Sequence, residues 1–118
     1  MKTKKTKKSE CIINGDGTKK WYLNGKLHRI HGPAIEWANG GKSWYKNGKW
    51  HRIDGPAIEF ANGDTYWYLN GKCHRINGPA AVYANGTKFW WLNGKPINPQ
   101  VLVKKGYITK EELFLMLL

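Results

Sequence analysis

Residues 21–43 read WYLNGKLHRIHGPAIEWANGGKS, and the same string returns with substitutions over residues 44–66 and 67–89. The shift is 23 residues each time, and the register never slips. A half copy precedes the three full copies, and another, residues 90–95, follows them. A fixed period of this size indicates an array built from one supersecondary unit. The repeat therefore decides the architecture.

Each unit has the pattern of β-structure. It contains two pairs of the Asn-Gly type between short aromatic and β-branched runs, and such pairs favour the type I′ turn of hairpins. The Gly-Pro between them favours a bend or a sheet edge. In the third unit we expect strands around 65–69, near 72–76 and around 80–84. The fold class is an all-β repeat protein, an elongated, twisted antiparallel sheet of about four 23-residue hairpin units.

The segments outside the repeats differ in composition. Residues 1–10 hold five lysines and one glutamate, which predicts a disordered basic arm of net charge +4. The repeat array spans 11–95, and 96–118 form a C-terminal cap with a short helix from about residue 109. A capping box, Thr109 to Glu112, starts that helix and an apolar run continues it. The helix either covers the open end of the array or mediates homo-oligomerisation.

Composition excludes several classes of protein. The 118 residues include seven tryptophans, which is not typical of a disordered chain, and contain no apolar run of membrane-spanning length. The two cysteines lie too far apart in the array to pair, so we expect two free thiols and a reducing compartment. The formal net charge is +12, and +8 remains when the arm is removed. The repeat body itself is basic.

The residue inventory predicts neither catalysis nor a cofactor. The sequence has no nucleophile, base and acid constellation and no glycine-rich phosphate loop before a helix. His28, His51 and His74 share one column, but equivalent residues of successive units lie about 10 Å apart, too far to share a metal ion. We therefore expect a protein that is not an enzyme and has no metal site.

Two columns occur in every complete unit, so a folding role explains them first. Bulky residues on one sheet face normally form its buried layer, which makes the tryptophan column the predicted structural core. Its members are Trp21, Trp44, Trp67 and Trp90. The second column consists of Arg29, Arg52 and Arg75. Each guanidinium could stack on an aromatic ring or pair with Glu36 or Glu59, although the third unit has Val82 there. The alternative is a ladder of cations for phosphates or carboxylates.

Positions that vary between units are free of the folding constraint and are candidates for partner contacts. Trp50 shares its column with Leu27 and Cys73, and Lys46 stands where the other units have leucine. An exposed tryptophan is typical of a binding hot spot, although Trp50 could equally pack on a neighbouring strand. The predicted partner-binding residues are therefore Arg29, Lys46, Trp50, Arg52 and Arg75.

The unit W-Y-x-N-G-K-x-H-R-x-x-G-P-A resembles the MORN repeat, in the variant form found in bacterial, bacteriophage and giant-virus proteins. The resemblance covers about residues 11–95 and implies an elongated antiparallel sheet that acts as a protein-interaction scaffold without catalytic residues. It also implies a cytoplasmic protein, of a bacterium or virus-infected cell, that could inhibit a host or toxin protein. Gly-Pro-Ala replaces the usual Gly-x-Gly, so the chemistry of the MORN face is not carried over.

The function expected from these features is a non-enzymatic binding module for an acidic macromolecule, foremost a protein. The first alternative is a nucleic acid or anionic nucleotide, bound by basic and aromatic side chains on the sheet. The second alternative is an acidic membrane surface, with the lysine-rich arm as an electrostatic anchor.

Overall fold

The computed structural model of the chain describes residues 8–118, which form an elongated body of 57 × 41 × 20 Å. Most of the expected basic arm lies outside the described residues. Residues 9 and 10 belong to the first strand, so the sheet begins two residues before the expected boundary. The all-β repeat fold with a C-terminal helix is confirmed.

The described chain has fifteen strands and two helices. The strands are β1 (Ser9–Ile13), β2 (Lys19–Leu23), β3 (Lys26–Leu27), β4 (Ile35–Glu36), β5 (Lys42–Ser43), β6 (Tyr45–Lys46), β7 (Lys49–Trp50), β8 (Ile58–Glu59), β9 (Thr65–Tyr66), β10 (Tyr68–Leu69), β11 (Lys72–Cys73), β12 (Ala81–Val82), β13 (Lys88–Phe89), β14 (Trp91–Leu92) and β15 (Lys95–Pro96). The helices are α1 (Gln100–Lys104) and α2 (Lys110–Leu117).

One antiparallel sheet runs the length of the array, in the order β1-β2-β4-β5-β8-β9-β12-β13, with β3 paired to β2. Three two-stranded hairpins, β6-β7, β10-β11 and β14-β15, stand beside it. The first Asn-Gly pair of each unit makes the hairpin turn, and its asparagine has a φ of about 50°, as a type I′ turn requires. Each repeat thus contributes two strands to the long sheet and one hairpin.

The tryptophan column marks where the chain leaves the long sheet for its hairpin. In the third unit the expected strand over 65–69 is interrupted at Trp67, whose N–H donates to the carbonyl of Ala80 at 2.7 Å. The carbonyl of Trp67 accepts from His74 at 3.0 Å. The other two expected strands are shorter, Lys72–Cys73 and Ala81–Val82. The backbone of Trp67 bonds in two directions, so it joins two sheets rather than continuing one.

The buried apolar side chains of the array are alanines and isoleucines that follow the Gly-Pro bends. They are Ala34, Ile35, Ala57, Ile58, Ala80 and Ala81. The four tryptophans predicted as the core are half-buried instead. The body is only 20 Å thick, and the rings of Trp21, Trp44 and Trp67 are covered by arginine side chains rather than by a second layer of secondary structure.

The C-terminal residues pack on the last half unit. Leu102, Ile108 and Leu113 form a buried cluster, against which Trp90, Leu92 and Ile97 pack. The expected capping box is present: Thr109 Oγ1 accepts from the backbone N–H of Glu112, and the Glu112 carboxylate accepts from that of Thr109, both at 3.0 Å. The short helix α1 was not predicted from the sequence.

Beyond this cluster, the apolar side chains of α2 and of the residue that follows it are largely exposed: Phe114, Leu115, Leu117 and Leu118. Its role in homo-oligomerisation stays a prediction.

Candidate functional site

The strand register separates the two faces of the long sheet, because residues that are partners across a ladder project to the same side. On one side, partners follow one another from Ile35 through Ser43, Ile58, Tyr66 and Ala81 to Phe89. On the other side, the corresponding run leads from Glu36 through Lys42, Glu59, Thr65 and Val82 to Lys88. The two sides differ in chemistry.

The second side also carries the tryptophan column and the arginine column, and we call it the Trp-Arg face. The guanidinium carbons of Arg29, Arg52 and Arg75 lie 3.7, 3.8 and 3.9 Å from the ring centroids of Trp21, Trp44 and Trp67. In each unit the arginine Nη1 also donates to the proline carbonyl of the Gly-Pro bend at 3.1 Å. The expected stacking is therefore present in every complete unit.

The glycine before each proline leaves room for the guanidinium. A Cβ at Gly55 would lie 2.7 Å from Cζ of Arg52, and one at Gly78 would lie 2.8 Å from Cζ of Arg75. Neither glycine has a positive φ, so the close approach itself is what requires glycine. Trp, Arg and Gly-Pro form one stacked element.

The expected ion pairs occur in the first two units. Nη1 of Arg29 lies 3.7 Å from Oε1 of Glu36. In the second unit, Nη1 of Arg52 lies 3.1 Å from Oε2 of Glu59, and Nε of Arg52 lies 3.3 Å from Oδ1 of Asp54. The arginine column is thus engaged within the fold, and its role as a cation ladder for a partner stays a prediction. Burial lowers the pKa of the Arg75 guanidinium below its ordinary value.

The histidine column joins each unit to the next. Nδ1 of His28, His51 and His74 accepts from the backbone N–H of Asn47, Asn70 and Asn93 at 3.0, 3.0 and 2.9 Å. Burial, and then the charge of Lys46, lower the pKa of His51, which favours the neutral ring that can accept this bond. Among residues 8–118 no three His, Cys, Asp or Glu side chains gather as they would around a metal ion.

The opposite side is a groove lined by aromatic rings, which we call the aromatic groove. One wall is a row of aromatic rings whose centroids are close together. The centroid distances are 5.8 Å between Phe60 and Tyr66, 6.1 Å between Tyr66 and Tyr83, and 5.3 Å between Tyr83 and Phe89. The other wall comes from the hairpins, where Trp50 lies 5.9 Å from Tyr45 and 5.2 Å from Tyr68. Trp37 extends the first wall into the first unit.

Two hollows lie between these walls. The N-terminal hollow, of about 320 Å³, has Ser43 and Ile58 as its floor, and the C-terminal hollow, of about 430 Å³, lies over Ala81. The rings around them remain accessible, with exposures of 44% for Trp37, 37% for Trp50, 51% for Phe60 and 43% for Phe89. The groove is thus an apolar surface open to a ligand.

The C-terminal hollow is neutral except for lysine. Lys72 lines it, and none of the described lining residues is acidic. A hydrogen bond to Tyr83, together with burial, raises the pKa of Tyr66 to about 12, so its phenol stays protonated. Burial raises the pKa of the Cys73 thiol to about 11. These groups can offer hydrogen bonds and apolar contact, but no nucleophile at neutral pH.

The predicted partner-binding residues fall on both sides of the molecule. Trp50 lies in the aromatic groove, paired across its hairpin with Tyr45. Lys46 pairs with Lys49 on the other side of that hairpin. It lines a cleft together with three histidines, His28, His31 and His51, and with Arg29 and Arg52. The structure therefore does not bring Trp50 and Lys46 together, and the three arginines belong to the Trp-Arg face.

The aromatic wall formed by Phe60, Tyr66, Tyr83 and Phe89 was not predicted from the sequence. A signal was present, because the column of Trp37, Phe60 and Tyr83 is aromatic in every unit and lies two residues beyond a buried position. The cysteines are both free, as expected, with Cys11 exposed on β1 and Cys73 in the groove wall.

No family model, no curated protein and no solved structure matches this chain. Within residues 8–118, no helix has the length and apolar character needed to cross a membrane.

Proposed function

We propose that this protein is a non-enzymatic binding module for an acidic partner protein, which it contacts through the aromatic groove. The observation that carries the proposal is the continuous set of accessible rings across successive units, including Phe60 and Phe89. Exposed apolar surface of this kind marks interaction sites, and aromatic residues dominate the energetics of protein interfaces.

The form of the groove suits an extended segment. It crosses the strands, and consecutive units repeat about every 10 Å, which is about three residues of an extended chain. A segment laid along it could place one side chain in each hollow and leave the next units to extend the contact. The groove can therefore select a partner by the spacing of its side chains as well as by their apolar character.

Charge selects an acidic partner. The chain has a formal net charge of +12, and a lysine borders the N-terminal end of the groove. Lys20 lies 5.9 Å from the Trp37 ring, and Lys72 lines the C-terminal hollow. Long-range attraction of this sign speeds association with acidic surfaces and repels basic ones.

The resemblance of the unit to the variant MORN repeat supports the same assignment, since members of that family act as scaffolds for protein interactions. The same resemblance supports the narrower proposal of a cytoplasmic inhibitor of a host or toxin protein.

Co-purification with groove variants tests the proposal. We expect the wild type to retain an acidic protein at moderate salt after nuclease treatment, and Trp50→Ala or Phe89→Ala to lose it. Ile53→Ala is the matched control, because Ile53 is 79% exposed and lines the cleft that contains Lys46, away from the aromatic groove. Retention of the same protein by all variants, or loss by Ile53→Ala alone, would place the contact outside the groove.

A second candidate is single-stranded nucleic acid. Proteins that bind single strands stack the bases on accessible aromatic rings and bind the phosphates with neighbouring lysines. Binding of mixed oligonucleotides should then weaken steeply with salt and fail in Phe89→Ala. Vesicles of acidic lipid, offered to the chain with and without residues 2–8, test the membrane alternative.

A further inference from the structure

The three arginines of the Trp-Arg face differ in the acidic groups they meet. Arg29 has one carboxylate, Glu36, and Arg52 has two, Asp54 and Glu59. Arg75 has none among the described residues, and residues 1–7 contain no Asp or Glu. In the third unit Asn77 replaces Asp54 and Val82 replaces Glu59.

Arg75 nevertheless makes the same stacking and backbone contacts as its equivalents. Its guanidinium stacks on Trp67, Nη1 donates to the carbonyl of Pro79 at 3.1 Å, and Nε donates to Oδ1 of Asn77 at 3.0 Å. Gly78 gives it the same close approach to the backbone. The cation is therefore oriented in advance, with a valine where the second unit has a carboxylate.

A second cation stands beside the same position. Lys88 is the ladder partner of Val82 on the following strand, where the equivalent partner of Glu59 is Thr65. On the other strand, the partner of Val82 is the neutral Thr65. Arg75 and Lys88 thus flank a position at which no carboxylate of the described residues pairs with either cation. Asp64, which is next to Thr65 in the chain, accepts instead from the backbone N–H of Ala84 at 2.7 Å.

We propose that this position, between Arg75 and Lys88 and above Val82, binds a carboxylate of the partner. The partner's Asp or Glu takes the place that Glu59 occupies in the second unit, where Nη1 of Arg52 donates to Oε2 of Glu59 at 3.1 Å. The inference rests on the proposed function, in that the partner is acidic. It adds a charge-reading site on the face opposite the aromatic groove.

Val82→Glu tests this directly, because it gives Arg75 the internal carboxylate of the other units. The probe is a fluorescent hexaglutamate peptide at low salt. We expect Val82→Glu to bind the peptide about tenfold more weakly than the wild type does. Val82→Gln, whose uncharged side chain is nearly the size of that of glutamate, should bind it as the wild type does. Asn14→Asp, at the far end of the array, controls for the lost net charge and should have little effect.

The reverse change opens a second site. Asp54→Asn with Glu59→Val gives the second unit the charges of the third, and we expect it to strengthen hexaglutamate binding several-fold. Val82→Glu should fold with an unchanged or higher urea midpoint, since it adds an ion pair, so that weaker binding does not reflect unfolding.

The outcomes separate the two proposals. Equal binding by Val82→Glu and Val82→Gln overturns the carboxylate site, and the groove proposal stands if Phe89→Ala still loses the partner. Preference for a phosphoserine peptide or an oligonucleotide over hexaglutamate, with the same sensitivity to Val82→Glu, overturns a carboxylate in favour of a phosphate. No binding of hexaglutamate to the wild type also overturns the site. Failure to recover any acidic protein in the co-purification counts against the function itself.

Discussion

Trp44 and Phe60 show how differently the two faces use aromatic side chains. On the Trp-Arg face, the ring of Trp44 is covered by Arg52, and the same stack recurs in each complete unit. On the groove side, Phe60 touches Tyr66 at its edge and remains 51% exposed. One face completes its aromatic contacts within the fold, whereas the other leaves them open to a ligand.

The largest effect should come from removing one stack. We expect Arg52→Ala to lower the free energy of unfolding by about 3 kcal/mol, because it uncovers Trp44 and removes the charged bond to Pro56. Arg75→Ala should cost about 1 kcal/mol less, since Arg75 has no carboxylate to lose. Urea denaturation measures both. Equal losses would show that the ion pairs of Arg52 contribute nothing to stability.

A smaller effect tests the glycine of the same stack. Gly55→Ala places a Cβ against the guanidinium of Arg52, and we expect a loss of about 1–3 kcal/mol. Gly15→Ala is the matched control, because no atom lies within 4 Å of its Cβ position and its φ is not positive, so its effect should stay within about 0.5 kcal/mol. Thermal or urea unfolding of the pair decides the matter. A neutral Gly55→Ala would contradict the close approach.

On the groove side we expect urea denaturation to show only a small loss of stability. Phe60→Ala removes a ring that is half exposed, so we expect a stability loss below about 1 kcal/mol, together with about tenfold weaker partner binding. If Phe60→Ala were as destabilising as Arg52→Ala, the stated difference between the two faces would be wrong, because the groove would then be part of the core.

The smallest effect should appear in the pH dependence. The pKa of His51 is lower in the fold than in the unfolded chain, so protons bind the unfolded state more readily as the pH falls. The stability contributed by the neutral ring is complete above about pH 6.5 and is lost as the pH falls through the folded pKa. In His51→Asn the amide oxygen replaces the Nδ1 acceptor without titrating. Urea midpoints of this variant should fall less below pH 6.5, and parallel curves would exclude His51 as the source.

The repeat, the Asn-Gly turns and the capping box of α2 follow from the sequence because they depend on neighbouring residues. The arginine stacks and the missing carboxylate at Val82 were also predictable, since one column could be compared across units. The break of each strand at tryptophan was not, because it arises from hydrogen bonds to a distant bend, such as that of Trp67 to Ala80. The groove was missed for a related reason: in a body one sheet thick, strand alternation does not say which aromatic face remains open.

The bonds between consecutive units set a rule for how this chain could grow. The histidine of one unit and the asparagine it holds are 19 residues apart, and the glycine beside that asparagine donates to the preceding hairpin, as Gly71 does to Trp50. Every full unit brings its own copy of these groups. Insertion of a whole 23-residue unit would therefore preserve each junction, whereas insertion of a partial unit would move a turn away from its histidine. The number of units therefore sets the length of the surface offered to a partner, and each added unit lengthens that surface by about 10 Å.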